Sequence, residues 1–285
     1  MKRAFSLIEL SIVILIIGIL IAGVTQGSRL VAEMTLSSAR TQTQSSPVNS
    51  IGGLVLWLEA TGENSFISAE AEDGLPITAW YDTNTQVTSK NHATRSTSDT
   101  RVTYERNAIN SLPAVFFNGT AGTSSNLAGN VILTANNAFS LFLVSKSTET
   151  VTGNWRPVFY NGSATGWGYQ KGGNTPAKRD LVFPNIVDSY SASDFTTSSE
   201  VISATHNGAT SALYVNGLSE GPSVPNATMI TPTIRYVVGN SFTSALGTPW
   251  MGYIAEIIVF ERALKNEERQ AIEDYLGKKW GIKVL

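Results

Sequence analysis

From Leu10 to Ser28 the chain carries 19 consecutive residues with no ionisable side chain, and a single carboxylate, Glu9, stands immediately before them. Coiled as a helix at about 1.5 Å per residue, Phe5 to Val24 extends about 30 Å, which is the thickness of one bilayer hydrocarbon core. A segment this apolar on every face fits a membrane span better than the surface of a soluble domain. Lys2 and Arg3 precede it and predict a cytoplasmic amino terminus with the remainder exported. A secretory signal peptide would end in a small-x-small cleavage site, and Leu20-Ile-Ala-Gly-Val-Thr25 matches that weakly. An ordinary anchor gains nothing from Glu9, because a carboxylate near a helix centre costs about 2.5 to 3.5 kcal/mol. An acid in the span asks for a partner.

The stretch Lys2-Arg3-Ala4-Phe5-Ser6-Leu7-Ile8-Glu9-Leu10 resembles the amino terminus of type IV prepilins and pseudopilins. The resemblance implies removal of residues 1–4 by a membrane-bound prepilin peptidase and methylation of the new amino terminus at Phe5. Most members carry Gly where this chain has Ala4. Cleavage there makes Glu9 the fifth residue of the mature chain, and the new α-amino group is cationic or partly so near neutral pH. Glu9 of a neighbouring subunit can pair with it and offset the desolvation of both groups. The partners implied are the peptidase, other pilin or pseudopilin subunits in a homo- or heteropolymer, and the inner membrane, followed by a place in an extracellular or periplasmic filament of a prokaryote.

Leu30, Val31 and Met34 continue at helical spacing, so the sequence predicts one helix over 5–40. Thr41 to Gly53, rich in Thr, Gln, Ser, Pro and Gly, reads as a flexible linker. Beyond it, 54–285 reads as short strands rich in β-branched and aromatic residues, including 54–58, 113–117, 139–144, 201–205, 212–215 and 236–238. Asn216-Gly217, Asn207-Gly208, Asn161-Gly162 and Asn118-Gly119 are hairpin signals. The fold class predicted is mainly β, an antiparallel jelly-roll sandwich carried on a long amino-terminal α-helix. Charged residues make up only 15% of the chain, against about 25% usually, so Ser, Thr and Asn must cover the sandwich. One late helix is expected, capped by Asn266, stopped by Gly277 and packed under a strand within 250–264 that is apolar on both faces.

Four pieces, Leu56-Trp57-Leu58-Glu59-Ala60, Trp80-Tyr81-Asp82 with Asn91-His92-Ala93, Pro113 to Gly119 with Leu127, and Gly252 to Leu264 with Glu268, resemble concanavalin A-like lectin and laminin G-like domains. That family implies the sandwich and includes carbohydrate binders, protein-binding modules and glycosidases, so the fold alone does not choose. A glycosidase needs two carboxylates about 5 to 9.5 Å apart facing a cleft; no paired-acid strand motif is present, and the chain reads as a non-enzyme. Glu70, Glu72 and Asp73 read as a solvated loop, and Glu256 as a buried carboxylate satisfied by Arg262 or a backbone amide. The resemblance allows Ca²⁺, for which Asp82 and Asp99 are the carboxylates to watch. His92 and His206 read as surface or hydrogen-bonding side chains. Trp57, Trp80, Trp250 and Trp280 read as core, whereas Trp155, Trp167 and Tyr169 lie in turn-rich sequence and are the candidates for a sugar-stacking platform. A net charge of −2 gives no reason to expect a nucleic-acid partner.

Three roles follow: a minor pilin or pseudopilin whose lectin-like head binds a surface glycan or protein in adhesion, a purely structural subunit of a type II secretion pseudopilus, or a membrane-anchored lectin that never polymerises.

Overall fold

The computed structural model describes residues 7–95, 101–119, 125–130, 138–149, 155–162, 166–173, 177–183, 189–221, 224–225, 235–240 and 249–285. Its first element is one helix, α1, Leu7–Gln44, of 38 residues. Hydroxyls along the apolar stretch bond back to their own helix, Ser11 Oγ to the Ile8 carbonyl at 2.8 Å and Thr25 Oγ1 to that of Ile21 at 2.9 Å. Such bonds satisfy polar atoms that an apolar solvent could not.

The helix runs four residues past Arg40, and the stretch expected to be a flexible linker is ordered. Pro47, which cannot continue a helix ladder, starts a 3₁₀ turn, Val48–Ser50. Val48 and Ile51 are buried in the head's core, so apolar burial pins a segment that its polar composition made look loose.

Two antiparallel sheets follow. Among the described residues, the larger runs Leu218–Ser219, Thr210–Val215, Ser199–Asn207, Ala138–Ser147, Gly252–Phe260, Leu112–Phe117, Val102–Ile109, with Leu54–Glu59 also paired to Gly252–Phe260. The second runs Ser189–Tyr190, Lys178–Val182, Trp167–Gly172, Trp155–Asn161, Tyr236–Val238, Leu127–Gly129, Ala93–Arg95, Ala79–Trp80. The strands expected from sequence all lie within these elements, and Asn216-Gly217 turns a hairpin with both φ angles positive, 51° and 83°, as a type I′ turn requires.

The larger sheet is covered on one face by the smaller sheet and on the other by helix α2, Asn266–Trp280. Its strand Gly252–Phe260 shows why both faces are apolar. It pairs with Ala138–Ser147 along one side, and along the other with Leu112–Phe117 through Gly252–Ile254 and with Leu54–Glu59 through Glu256–Phe260. The register slips between Ile254 and Glu256. An extra residue, Ala255, reverses the in-out alternation there, so Ile254 points between the sheets while Glu256 points under α2.

Lys265 caps the α2 helix, its backbone N–H donating to the Glu268 carboxylate at 2.9 Å; Asn266, expected to cap, is the first helical residue. The helix also passes through Gly277 and ends at Gly281, which is left-handed with φ 62°. Gly277 is needed for close approach instead: a Cβ there would meet the Val284 side chain at 2.6 Å. Gly281→Ala should lower stability by about 1 kcal/mol, since Ala pays a steric cost in that conformation. Asn266→Ala should be near neutral, and urea unfolding of the detergent-solubilised chain measures both.

Candidate functional site

The amino-terminal site is built from α1 alone. Thirteen large apolar side chains between Leu7 and Val24 are each between 46% and 84% exposed, and the helix is long and apolar enough to cross a membrane by length and composition. At about 1.5 kcal/mol or more per side chain removed from water, covering this surface is worth on the order of 20 kcal/mol. Glu9 lies in the first turn of the helix, where the amide dipoles favour an anion. Ala4 and Phe5 lie outside the described residues.

The helix is fastened to the head at its other end, around a buried charge cluster. Glu59 and Glu256 sit directly opposite each other across two antiparallel strands, and Lys279 descends between them from α2. Lys279 Nζ donates to Glu256 Oε2 at 2.8 Å and to Glu59 Oε2 at 2.9 Å. Glu256 also accepts from Trp57 Nε1, Tyr275 Oη and Trp280 Nε1, each at 2.8 Å. Glu59 accepts from the Thr61 N–H and hydroxyl and from Ser65 Oγ. Helix α1 joins the same corner: Arg40 Nε donates to the Thr61 carbonyl at 2.8 Å and Tyr275 Oη lies 3.4 Å from Thr43 Oγ1. Glu256 is therefore satisfied by two indoles, a phenol and Lys279 rather than by Arg262 or a backbone amide, the alternatives expected from sequence; Arg262 pairs instead with Glu268.

Burial alone would push the Glu59 carboxyl up, but the Lys279 charge and the bonds from Thr61 outweigh it and hold Glu59 below its ordinary value of 4.5. Burial works against the Lys279 ammonium, and the Glu256 and Glu59 carboxylates outweigh it and raise Lys279 above 10.5. A lowered acid contributes stability above about pH 4.5 that is lost as pH falls through its folded value. A raised lysine contributes below about pH 10.5 and loses it on further rise.

Two carboxylates this close invite a comparison with a hydrolytic pair. Their side chains are 2% exposed or less, as is Lys279 between them, so neither water nor a glycosidic oxygen reaches them in this structure. Sequence reading missed the pair because the partners come from opposite ends of the head and meet only through sheet register.

A second cluster joins the two sheets. Lys171 and Arg179 of the smaller sheet both bond Glu200 of the larger, Lys171 Nζ at 3.1 Å and Arg179 Nε at 3.0 Å. Burial and the Arg179 charge lower Lys171 despite Glu200, and Lys171 lies 5.2 Å from the Trp250 ring.

The aromatic platform expected from sequence does not form. Trp167 and Tyr169 are completely buried, Trp167 stacked on Phe139 with ring centroids 3.7 Å apart. Gly166-Trp-Gly-Tyr looks like a loop in sequence because Gly usually breaks strands. Here Gly168 lies against the Tyr160 ring, where a Cβ would meet a ring carbon at 2.5 Å. Trp155 is half-buried with Gly173 against its ring, and so is the one of the three that offers surface. Trp57, Trp80, Trp250 and Trp280 are core.

Asp82 is a turn staple. Its carboxylate accepts from the backbone N–H groups of Trp57 and Asn84, both at 3.0 Å, and of Asn91 at 2.9 Å. Asp99 lies outside the described residues, and among those described no three His, Cys, Asp or Glu side chains converge to hold a metal. His92 Nδ1 accepts from the Asp82 N–H at 3.0 Å, and His206 is buried with Nδ1 3.0 Å from Ser211 Oγ. In the acidic loop Glu72 pairs with Arg106 and Glu70 accepts from Thr78.

The apolar helix with an acid in its first turn has a counterpart among known sequences. Residues 1–25 carry the prokaryotic N-terminal methylation motif. This prepilin motif is joined to a sandwich that resembles lectin-like and sialidase-associated folds. Domain 4 of AbnA, an extracellular arabinanase from Geobacillus stearothermophilus in complex with arabinotriose, superposes with a TM-score of 0.52 at 14% identity, covering 78% of this chain and 97% of that one. The botulinum neurotoxin serotype D binding domain gives 0.53 at 17% identity, covering 82% and 53%. A Trypanosoma rangeli sialidase in complex with the inhibitor DANA gives 0.52 at 15% identity, covering 87% and 39%. The chain spans 33% to 39% of the length of the sialidases it matches, and at these identities the likeness concerns the fold. No curated protein matches the chain in sequence.

Lys279→Met should cost about 3 to 5 kcal/mol at pH 7, because two buried carboxylates lose their counter-charge. The penalty should be smaller in acid, because Glu59 without the Lys279 charge takes up a proton more readily than in the native chain, and urea unfolding at pH 7 and pH 4 reads the difference.

Proposed function

We propose that this chain is a minor pilin or pseudopilin. Prepilin peptidase removes residues 1–4 in the inner membrane and Phe5 is methylated. The helix is then drawn from the membrane into a filament core, and the lectin-like head is displayed outside the cell or in the periplasm. The observation that carries this is the methylation motif at 1–25 on a helix whose apolar surface is exposed along its whole first half. In the filament, Glu9 of one subunit pairs with the methylated amino terminus of its neighbour, so each charge leaves the bilayer with a partner.

The head is a binding module in adhesion rather than an enzyme. Two observations support this: its closely spaced carboxylates are sealed under α2, and solved domains of the same fold include one in complex with arabinotriose and one described as a toxin binding domain. A purely structural pseudopilus subunit is the competing role. Deleting the gene and scoring filaments separately from attachment distinguishes them: adhesion lost with filaments retained supports the displayed binding head, and filaments lost with no adhesion defect of their own supports the structural role. Glu9→Ala should leave the protein anchored in the membrane but lower its incorporation into filaments at least tenfold, as measured by immunoblotting sheared filaments against the membrane fraction. Unchanged incorporation contradicts the pairing.

A further inference from the structure

The smaller sheet carries a polar pocket at one end that none of the foregoing uses. Its three strands Ala93–Arg95, Leu127–Gly129 and Tyr236–Val238 pair in the registers Thr94 with Ala128 and Gly129 with Tyr236. Extended by one or two residues, that register sets His92, Asn130 and Arg235 in a row across the strand ends. With Lys90 these residues line a cavity of about 320 Å³, the low end of the range for small-molecule sites. Among the described residues its wall has two basic side chains, a histidine, two asparagines and a threonine, and no Asp or Glu, although acids outnumber Lys and Arg in the chain as a whole.

The pocket is held in shape before any ligand arrives. Lys90 Nζ donates to the Asn84 carbonyl and Asn91 Nδ2 to that of Val55, while Tyr236 Oη donates to the Asn91 carbonyl at 2.6 Å. The Gly162 N–H donates to the Arg235 carbonyl at 2.8 Å. His92 Nδ1 accepts the Asp82 N–H, so the ring's own proton is on Nε2, a donor. The floor needs glycine at 129, where a Cβ would lie 2.4 Å from the His92 carbonyl and 2.6 Å from the Tyr236 ring. Asp82, whose N–H bonds His92, has its carboxylate engaged by the three backbone amides described above.

From this arrangement we infer that the pocket binds a carboxylate-bearing monosaccharide unit. A guanidinium and an ammonium set around a small polar cavity suit a planar carboxylate, and the amides and hydroxyl beside them suit sugar hydroxyls. The pocket is too small for a folded partner and too polar for an apolar one. This deepens the displayed-head reading and rests on it for its biological meaning, but the binding itself does not depend on filament assembly.

The test is saturation-transfer NMR and isothermal titration on the full chain in detergent, with glucuronic acid, N-acetylneuraminic acid, glucose and inorganic phosphate as probes. At least one sugar acid should bind at low millimolar Kd or tighter and at least tenfold better than glucose or phosphate. Arg235→Ala, on an exposed side chain, should weaken it at least tenfold with an unchanged unfolding midpoint. Phosphate binding as tightly as the sugar acids would make this a simple anion site and overturn the saccharide class. Equal binding of glucose would overturn the carboxylate. No binding, or binding untouched by Arg235→Ala, would overturn the site while leaving the subunit reading to the filament assay.

Discussion

The apolar surface of α1 from Leu7 to Val24 governs the rest of the molecule. Not one of its large side chains is covered by the head, and a surface of that size does not stay in water. It has two possible surroundings, lipid and other helices, and a protein that moves between them needs a helix uniform enough for both. In the proposed filament role the rest of the chain has to close its own core without help from that half of the helix, and has to be fastened at the helix's far end.

Both requirements are met physically. The head closes its own core between two sheets and α2, and covers itself with neutral polar residues rather than charge. Its attachment is the corner where Arg40 and Thr43 of α1 meet Thr61 and Tyr275. Beneath that corner lies the Glu59, Lys279 and Glu256 cluster, which ties the first strand, the last long strand and the last helix of the head. A buried ion group of this kind adds less to stability than apolar residues of equal volume would, yet removing one member is costly. Lys279 thereby bonds α2 to both strands at once.

The parts legible in the sequence were those written locally. An uncharged run, a lone Glu before it, Asn-Gly turns and alternating β-branched strands each announce themselves within a few residues. The parts that were not legible depend on distant partners. Glu59 and Glu256 become a pair only through sheet register and a one-residue bulge at Ala255. Trp167 and Tyr169 looked exposed because their neighbours are glycines, and those glycines in fact let other rings pack close. Val48 and Ile51 turn a polar stretch into an anchored one. The same holds for the polar pocket, since His92, Asn130 and Arg235 are neighbours only in the folded sheet.

The filament role requires processing before Phe5, and intact-mass and peptide mass spectrometry of the protein purified from its native membrane or filament reads this directly. The expected product is a chain lacking Met1 to Ala4, with one methyl group, about 14 Da, on the α-nitrogen of Phe5. A mature protein that still carries Met1 to Ala4 would contradict it and leave a membrane-anchored lectin that does not polymerise.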